Sequence, residues 1–254
     1  MSSLPPIPHG TGAHPIAMVS IAAKDLAASH AFYAGVFGWP MQALSAELIA
    51  AAPPAGPSVV LRTNLPEGFQ AVVPFLDCAD VATTLARVVA AGGSVERAPW
   101  PGPMGAQLAR FTDPSGTIYG LASGLLAAKP PRIEMPFGTN PKPPAGAVCS
   151  LEMYAADGEA VTRFVGGLFG WGAAPTMPHF VGFDAGAGIG GVFQSHTPVA
   201  KSMAYIYSAD VAASIAAIEA AGGKRMGDPM AIPGMGTFGY FTDVSGTAMG
   251  LIGP

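Results

Sequence analysis

Side chains able to do chemistry are sparse in this 254-residue chain, and their spacing removes most familiar constellations. The five histidines, His9, His14, His30, His179 and His196, form no pair at metal-ligand spacing, and each is read as solvated or locally hydrogen-bonded. Cys78 and Cys149 sit in strand-like contexts without a CxxC pattern, so they read as buried inert thiols and imply no disulfide framework. The chain has no GxSxG nucleophile elbow, no Cys-His pair and no glycine loop of the kind that cradles a phosphate; its glycines mark turns. The formal charge is −4 and the 12 Lys and Arg are scattered, which argues against a nucleic-acid partner. Gly, Pro or a charge breaks every apolar run before the ~20 residues that a helical membrane span needs. The opening residues, MSSLPPIPHGTGAHP, lack the basic start and apolar stretch of a secretory signal. A soluble cytoplasmic protein with no membrane partner is therefore expected.

The elements that position these residues come twice. FTDPSGTIYGL, beginning at Phe111, recurs as FTDVSGTAMGL at Phe241, and CADVATTLARVVAAGG at Cys78 recurs as SADVAASIAAIEAAGG at Ser208, both at an offset of 130. FYAGVFGW, Phe32 to Trp39, recurs as FVGGLFGW, Phe164 to Trp171, at an offset of 132. Three blocks in one order at nearly one offset define a tandem duplication, and the length suits two domains of about 100 to 150 residues. The expected division is an N-terminal tail over 1–13, a first domain over 14–124, a Pro-rich linker over 125–146 and a second domain over 147–254. Prolines at 130, 131, 136, 141, 143 and 144 keep that linker out of helices and central strands.

Within each half the periodicity alternates twice between strand and helix. Residues 16–22 read as a buried strand, and Asp25 opens a helix that carries Leu26, Phe32, Tyr33, Val36 and Phe37 and stops at Gly38. A strand-like SVVLRT follows at 58–63. The pattern restarts with a strand at 71–76, a helix at 80–91 closed by Gly92-Gly93, and strands at 107–112 and 117–122 joined by a type I turn at Asp113, Pro114, Ser115 and Gly116.

The DLxxSxxFYxxVFGW-like opening (Asp25, Leu26, Ser29, Phe32, Tyr33, Val36, Phe37, Gly38, Trp39) and the closing FxDPxGxxxGL block (Phe111, Asp113, Pro114, Gly116, Gly120, Leu121) resemble the vicinal oxygen chelate superfamily. That superfamily takes in glyoxalase I, bleomycin-resistance proteins and extradiol dioxygenases. The resemblance implies an α+β fold of two tandem domains, each of paired βαβββ modules forming a curled mixed or antiparallel sheet around a cleft. It also implies a divalent metal held by His and Glu from strand interiors. The matching positions here are Met18, a residue near Val60, Val73 and Gly120 in the first half. In the second they are Ser150, a residue between 188 and 193, Met203 and Gly250. None is His, Asp or Glu, and the sole carboxylate in these strands is Glu152, so no metal and no cofactor is expected.

Alternation along the strands then gives the cleft-facing register that the resemblance implies. In the first half it reads Met18, Ser20 and Ala22, then Val73, Phe75 and Asp77, then Ile118 and Gly120, an apolar cleft. In the second it reads Ser150, Glu152 and Tyr154, then Met203, Tyr205 and Tyr207, then Ala248 and Gly250, an aromatic cleft with one acid. The candidate ligand-binding residues are Glu152, Tyr154, Met203, Tyr205, Tyr207, Met18, Phe75 and Asp77, with Glu152 the candidate acid or base for catalysis. Two Pro/Gly-rich segments, 99–106 and 229–236, are read as plain connections, or as caps over the clefts through Trp100, Met104, Met230 and Met235.

The expected function is a metal-free protein of this superfamily that binds a small apolar or aromatic molecule in a sheet cleft. The alternative is a glyoxalase-, hydroxylase- or dioxygenase-like enzyme, and a third class is a partner-binding protein with vestigial clefts. The partner expected is a small-molecule ligand, and the oligomeric state is left open.

Overall fold

The computed structural model describes residues 5–196 and 200–254. The first half contributes β1 (Ile16–Ala22), α1 (Leu26–Phe37), β2 (Met41–Ser45), β3 (Leu48–Ala51), β4 (Ser58–Arg62), β5 (Val72–Asp77), α2 (Val81–Ala90), β6 (Ser94–Pro101), β7 (Gln107–Thr112) and β8 (Ile118–Ser123). The second half contributes β9 (Val148–Tyr154), α3 (Gly158–Phe169), β10 (Gly172–Met177), β11 (Phe180–Asp184), β12 (Gly191–Gln194), β13 (Ser202–Tyr207), α4 (Val211–Ala220), β14 (Lys224–Arg225), β15 (Met230–Ile232), β16 (Gly236–Thr242) and β17 (Ala248–Gly253). Each half is an α+β unit of two βαβββ modules, as the resemblance implies.

The sequence explains where the helices begin and end. An aspartate, Asp25, Asp80, Asp157 or Asp210, caps each helix and accepts one or two of its first free N–H groups. α1 and α3 stop at Gly38 and Gly170, whose left-handed φ of 67° and 65° a side chain would strain. The predicted strands and helices lie within one residue of those observed. β2, β3 and β6 carry no comparable signal in the sequence. β6 is nearly all exposed and contains Pro99 and Pro101, which is tolerated because it is an edge strand.

Sheet order is β2-β3-β4-β1-β5-β8-β7-β6 in the first half and β10-β11-β12-β9-β13-β17-β16-β14 in the second, with β15 paired to β16. Consecutive modules therefore pair, antiparallel through β1 and β5 and through β9 and β13, while β1–β4 and β5–β8 run parallel. The helices cover one face of each sheet. Their apolar sides join a single core that runs through both halves and includes Phe32, Tyr33, Trp39, Phe111, Phe164, Phe169, Trp171 and Phe241. The opposite faces carry two separate apolar clusters. One is centred on Met18, Val73 and Phe75, the other on Tyr205, Tyr207 and Phe238.

The repeated motifs meet across the junction of the halves in reciprocal pairs. Ser115 and Ser245 hydroxyls accept from the backbone N–H of Ala156 and Lys24, both at 3.0 Å. Thr117 and Thr247 hydroxyls donate to the carbonyls of Tyr154 and Ala22. Trp39 and Trp171 donate their ring N–H to the carbonyls of Gly146 and His14, at 2.7 and 2.9 Å. The DxSGT turn of each half thus docks where the other half's first strand hands over to its first helix.

The N-terminal tail lies along the second half. Thr11 N–H donates to Gly170 O at 2.8 Å, and His9 Nδ1 lies 3.0 Å from Asp184 Oδ2. The segment between the sheets is also held by the second half: Ile133 bridges to Ile189, and Arg132 pairs with Asp184 at 2.8 Å.

Candidate functional site

Each sheet curls around a cavity on the face away from the helices, of about 380 Å³ in the first half and about 240 Å³ in the second. The strand register puts equivalent residues in a row across both floors. In the first, Met18 lies opposite Phe75, Phe75 opposite Gly120, and Gly120 opposite Arg110. In the second the row is Ser150, Tyr205, Gly250 and Tyr240. Gly120 and Gly250 stand where the fold family's last metal ligand is expected. A Cβ at either would overlap the ring of Phe75 or Tyr205, so an aromatic ring fills the space that a longer side chain would need.

In the second cavity the Tyr205 hydroxyl donates to Glu152 Oε2 at 2.8 Å, and the Tyr240 hydroxyl lies 3.3 Å from that of Tyr205. The Tyr205 O–H is directed at the carboxylate, the stronger acceptor, so the Tyr240 hydroxyl extends the chain by donating to the Tyr205 oxygen. Burial raises the Glu152 carboxyl above the ordinary range, opposed by the Tyr205 hydrogen bond and by nearby His196. Burial and the Glu152 charge push the Tyr205 phenol well up. Around this polar thread the walls are apolar, from Val192, Phe238, Met230 and Ile232 together with Met135 and Phe137 of the segment between the sheets.

Of the residues expected here, Glu152 and Tyr205 line the cavity and touch each other. Ser150 lines it too and Gly250 lies in the same floor row, whereas Tyr154, Met203 and Tyr207 do not line it. Tyr207 is buried in the adjoining cluster, Met203 is buried, and the Tyr154 ring lies under Lys201, whose Nζ is 4.3 Å from its centroid. In the first half Met18 and Phe75 line the cavity together with Ser20. Asp77 lies at the end of β5, where its carbonyl is hydrogen-bonded by the His14 ring at 2.8 Å, and it lines neither cavity. The Pro/Gly-rich segments do reach the cavity mouths, through Trp100 and Pro101 in one half and Met230, Ile232 and Met235 in the other, whereas Met104 is exposed.

The expectation of a purely apolar first cleft does not survive. Its floor is apolar, but one wall holds Arg62 and Arg97, with Arg110 behind them on β7. The register read from the sequence used only the strands that carry metal ligands in the fold family, which left out β7 and β16. Their residues just before the FTD motif, Arg110 and Tyr240, are the ones that distinguish the two sites. The signal was present as ARFTD against GYFTD.

Burial pushes the Cys78 and Cys149 thiols up to about 11 and about 12, and both cysteines are free, so neither is a nucleophile at neutral pH. Among the described residues no three His, Cys, Asp or Glu gather closely enough to hold a metal ion. With Met, Val, Gly and Ser at the ligand positions, the donor set does not fit such an ion.

Two curled mixed sheets of βαβββ modules, each around a cleft on the face away from its helices, define the vicinal-oxygen-chelate class of fold. Residues 15–118 match the Glyoxalase/Bleomycin resistance protein/Dioxygenase superfamily, and the second half repeats the fold and motifs of that stretch. Among solved structures, the chain resembles the Mn(II)-bound glyoxalase from Novosphingobium aromaticivorans at 17% identity and a TM-score of 0.69, over 94% of this chain and 81% of that one. It also resembles the 2,3-dioxygenase LapB from Pseudomonas sp. KL28 at 13% identity and a TM-score of 0.65, over 97% and 93%. A catechol 2,3-dioxygenase aligns at 14% identity and a TM-score of 0.60, over 94% and 87%. Comparison with curated protein sequences gives no match.

Proposed function

We propose that the chain is a small-molecule binding protein that works without a metal centre, and that its second cleft takes a compact apolar or aromatic molecule bearing one hydrogen-bond donor. The observation that carries this reading is the Glu152–Tyr205–Tyr240 chain set into an otherwise apolar cavity of about 240 Å³. Such a cavity, apolar in bulk with a few convergent polar groups, is the usual form of a ligand site. Tyr205 occupies Glu152 Oε2, and the other carboxylate oxygen is left to accept from a ligand. The methionines at the mouth and the segment from Met135 to Phe137 can repack around ligands of different outline.

Among the described residues no set of donors gathers that would hold an ion such as the Mn(II) of the Novosphingobium glyoxalase, which supports binding without a metal. A second reading, proton-transfer catalysis at Glu152, is favoured by the raised pKa of that carboxyl and its hydrogen bond to a phenol.

A thermal-shift screen of small neutral phenols and anilides, followed by calorimetric titration of the best one, tests the proposal. Glu152→Gln should weaken binding by about 1 to 3 kcal/mol, the usual cost of disturbing a charged hydrogen bond, while leaving the fold intact. Equal binding by wild type, Glu152→Gln and Tyr205→Phe would remove the second cleft from consideration. Turnover of a bound compound that rises with the ionisation of Glu152 would favour the second reading.

A further inference from the structure

The first cleft holds a cluster of charge that the second cleft's chemistry does not use. Arg62 comes from β4, Arg97 from β6 and Arg110 from β7, and two aromatic rings space them. The Arg62 and Arg110 guanidinium carbons lie 5.6 and 4.6 Å from the centroid of Phe69. Those of Arg97 and Arg110 lie 4.1 and 5.5 Å from the Trp100 ring. The Arg110 side chain is 8% exposed, and its Nε and Nη2 both donate to Glu96. Its Nη1, together with Nε and Nη2 of Arg62, is buried with no hydrogen-bond partner among the described residues.

Folded chains rarely leave charged donors buried and unpaired, because their lost hydration is then uncompensated. Burial, and then repulsion from Arg110 and Arg97, lower the Arg62 pKa to about 10, with only Glu96 opposing. Glu96 is engaged by Arg110, and Glu47 lines the rim, where it accepts from Asn64 at 2.6 Å. Arg62 is left without a carboxylate partner among the described residues, and one monoanion neutralises it. Away from the arginines the cavity is hydrocarbon, from Met18, Val60, Phe75 and Leu108.

We infer that the first cleft is a binding site for an apolar or aromatic monocarboxylate, whose carboxylate pairs with Arg62, with Arg110 behind it adding positive charge, while its hydrocarbon lies on Met18, Val60 and Phe75. A guanidinium presents parallel N–H groups at the spacing of carboxylate oxygens, so the pairing is directional as well as electrostatic. The site is independent of Glu152 and of the function proposed for the second cleft.

Titration of the full chain with 4-phenylbutanoate, its uncharged amide 4-phenylbutanamide, and inorganic phosphate tests this. Trp100 lies on the cavity wall while Trp39 and Trp171 are buried in the core, so quenching of Trp100 fluorescence locates the ligand. The acid should bind at least about tenfold tighter than the amide, as expected when a charge-assisted pair replaces a neutral one, and tighter than phosphate. Arg62→Met should abolish the preference for the acid, Arg62→Lys should restore part of it, and Glu152→Gln should leave it unchanged. Equal affinity for acid and amide, phosphate binding as tightly as the acid, or an acid preference that survives Arg62→Met would each overturn the assignment. Should Arg62→Met fail to fold, the wild-type ratio of acid to amide and the Arg62→Lys titration decide it alone.

Discussion

Asp113 and Asp243 hold the same turn position in the two halves, and each carboxylate accepts two backbone N–H groups at 2.8 and 2.9 Å. Their phenol partners differ. Asp243 receives Tyr33 from the first half's helix at 2.9 Å, while Asp113 has Tyr119 from its own sheet at 3.4 Å, because the helix position equivalent to Tyr33 is Val165. Burial raises the Asp113 carboxyl from 3.8 to about 6 against the hydrogen bonds from Thr117 and Ser115. Between those values the native protein keeps a proton that the unfolded chain has released. The contribution of Asp113 to stability therefore falls as pH rises from about 4 to about 6 and is level above, a loss of at most roughly 3 kcal/mol. Urea unfolding across this range should show Asp113→Asn gaining on wild type as pH rises; a constant difference would mean that Asp113 does not titrate there. The metal positions are also a matter of single residues. With no donor at Met18, Val60, Val73 or Gly120, elemental analysis of purified protein should find no stoichiometric divalent metal, and EDTA should leave the melting temperature unchanged.

At the level of elements, the sequence announced the helices and central strands because each has a local signal: an aspartate cap, a glycine stop, or a run of buried β-branched residues between turns. The resemblance put Glu152 and Tyr205 in one cleft-facing register, and alternation on the paired strands β9 and β13 keeps them on one face, where they meet. Arg62, Arg110 and Tyr240 were not announced, because the register was read only along β1, β5 and β8 and their counterparts, although Arg62 follows Val60 by two on β4 and Arg110 and Tyr240 stand opposite Gly120 and Gly250. Nor did the proline-rich segment declare that Met135 and Phe137 would wall the second cavity, because a coil has no face to read. The glycines at the cleft floors make a testable element-level claim. Gly250→Ala would push the Tyr205 ring off its seat between β13 and β17 and cost about 1 to 3 kcal/mol, with Gly120→Ala doing the same to Phe75. Denaturant midpoints would report the loss. Gly250→Ala should in addition weaken binding in the second cleft and leave the first untouched.

For the whole molecule, the junction between halves decides behaviour. α1 packs on α4 and Phe241, Phe111 packs on Phe164 and Phe169, and these contacts belong to one continuous core. Calorimetry should accordingly give a single unfolding transition, and residues 14–124 made alone should expose the apolar faces of α1 and β7 and aggregate. Tyr33→Phe removes the one phenol that reaches buried Asp243 from the other half, and should lower stability by about 1 to 3 kcal/mol without splitting that transition. Two separate transitions would show that the halves are autonomous.

The reciprocal docking of the two turns has a consequence for what one polypeptide can do. Two separate identical chains joined by the same contacts would have to carry every substitution twice, so that an arginine gained at one floor would appear at the other. Here the two copies are covalently one chain with the same seam, and position 110 is free to be a cation while position 240 is a phenol. One chain with two copies keeps the symmetry of the frame without requiring symmetry of the contents, so the two proposed sites are free to differ in the ligand that each takes.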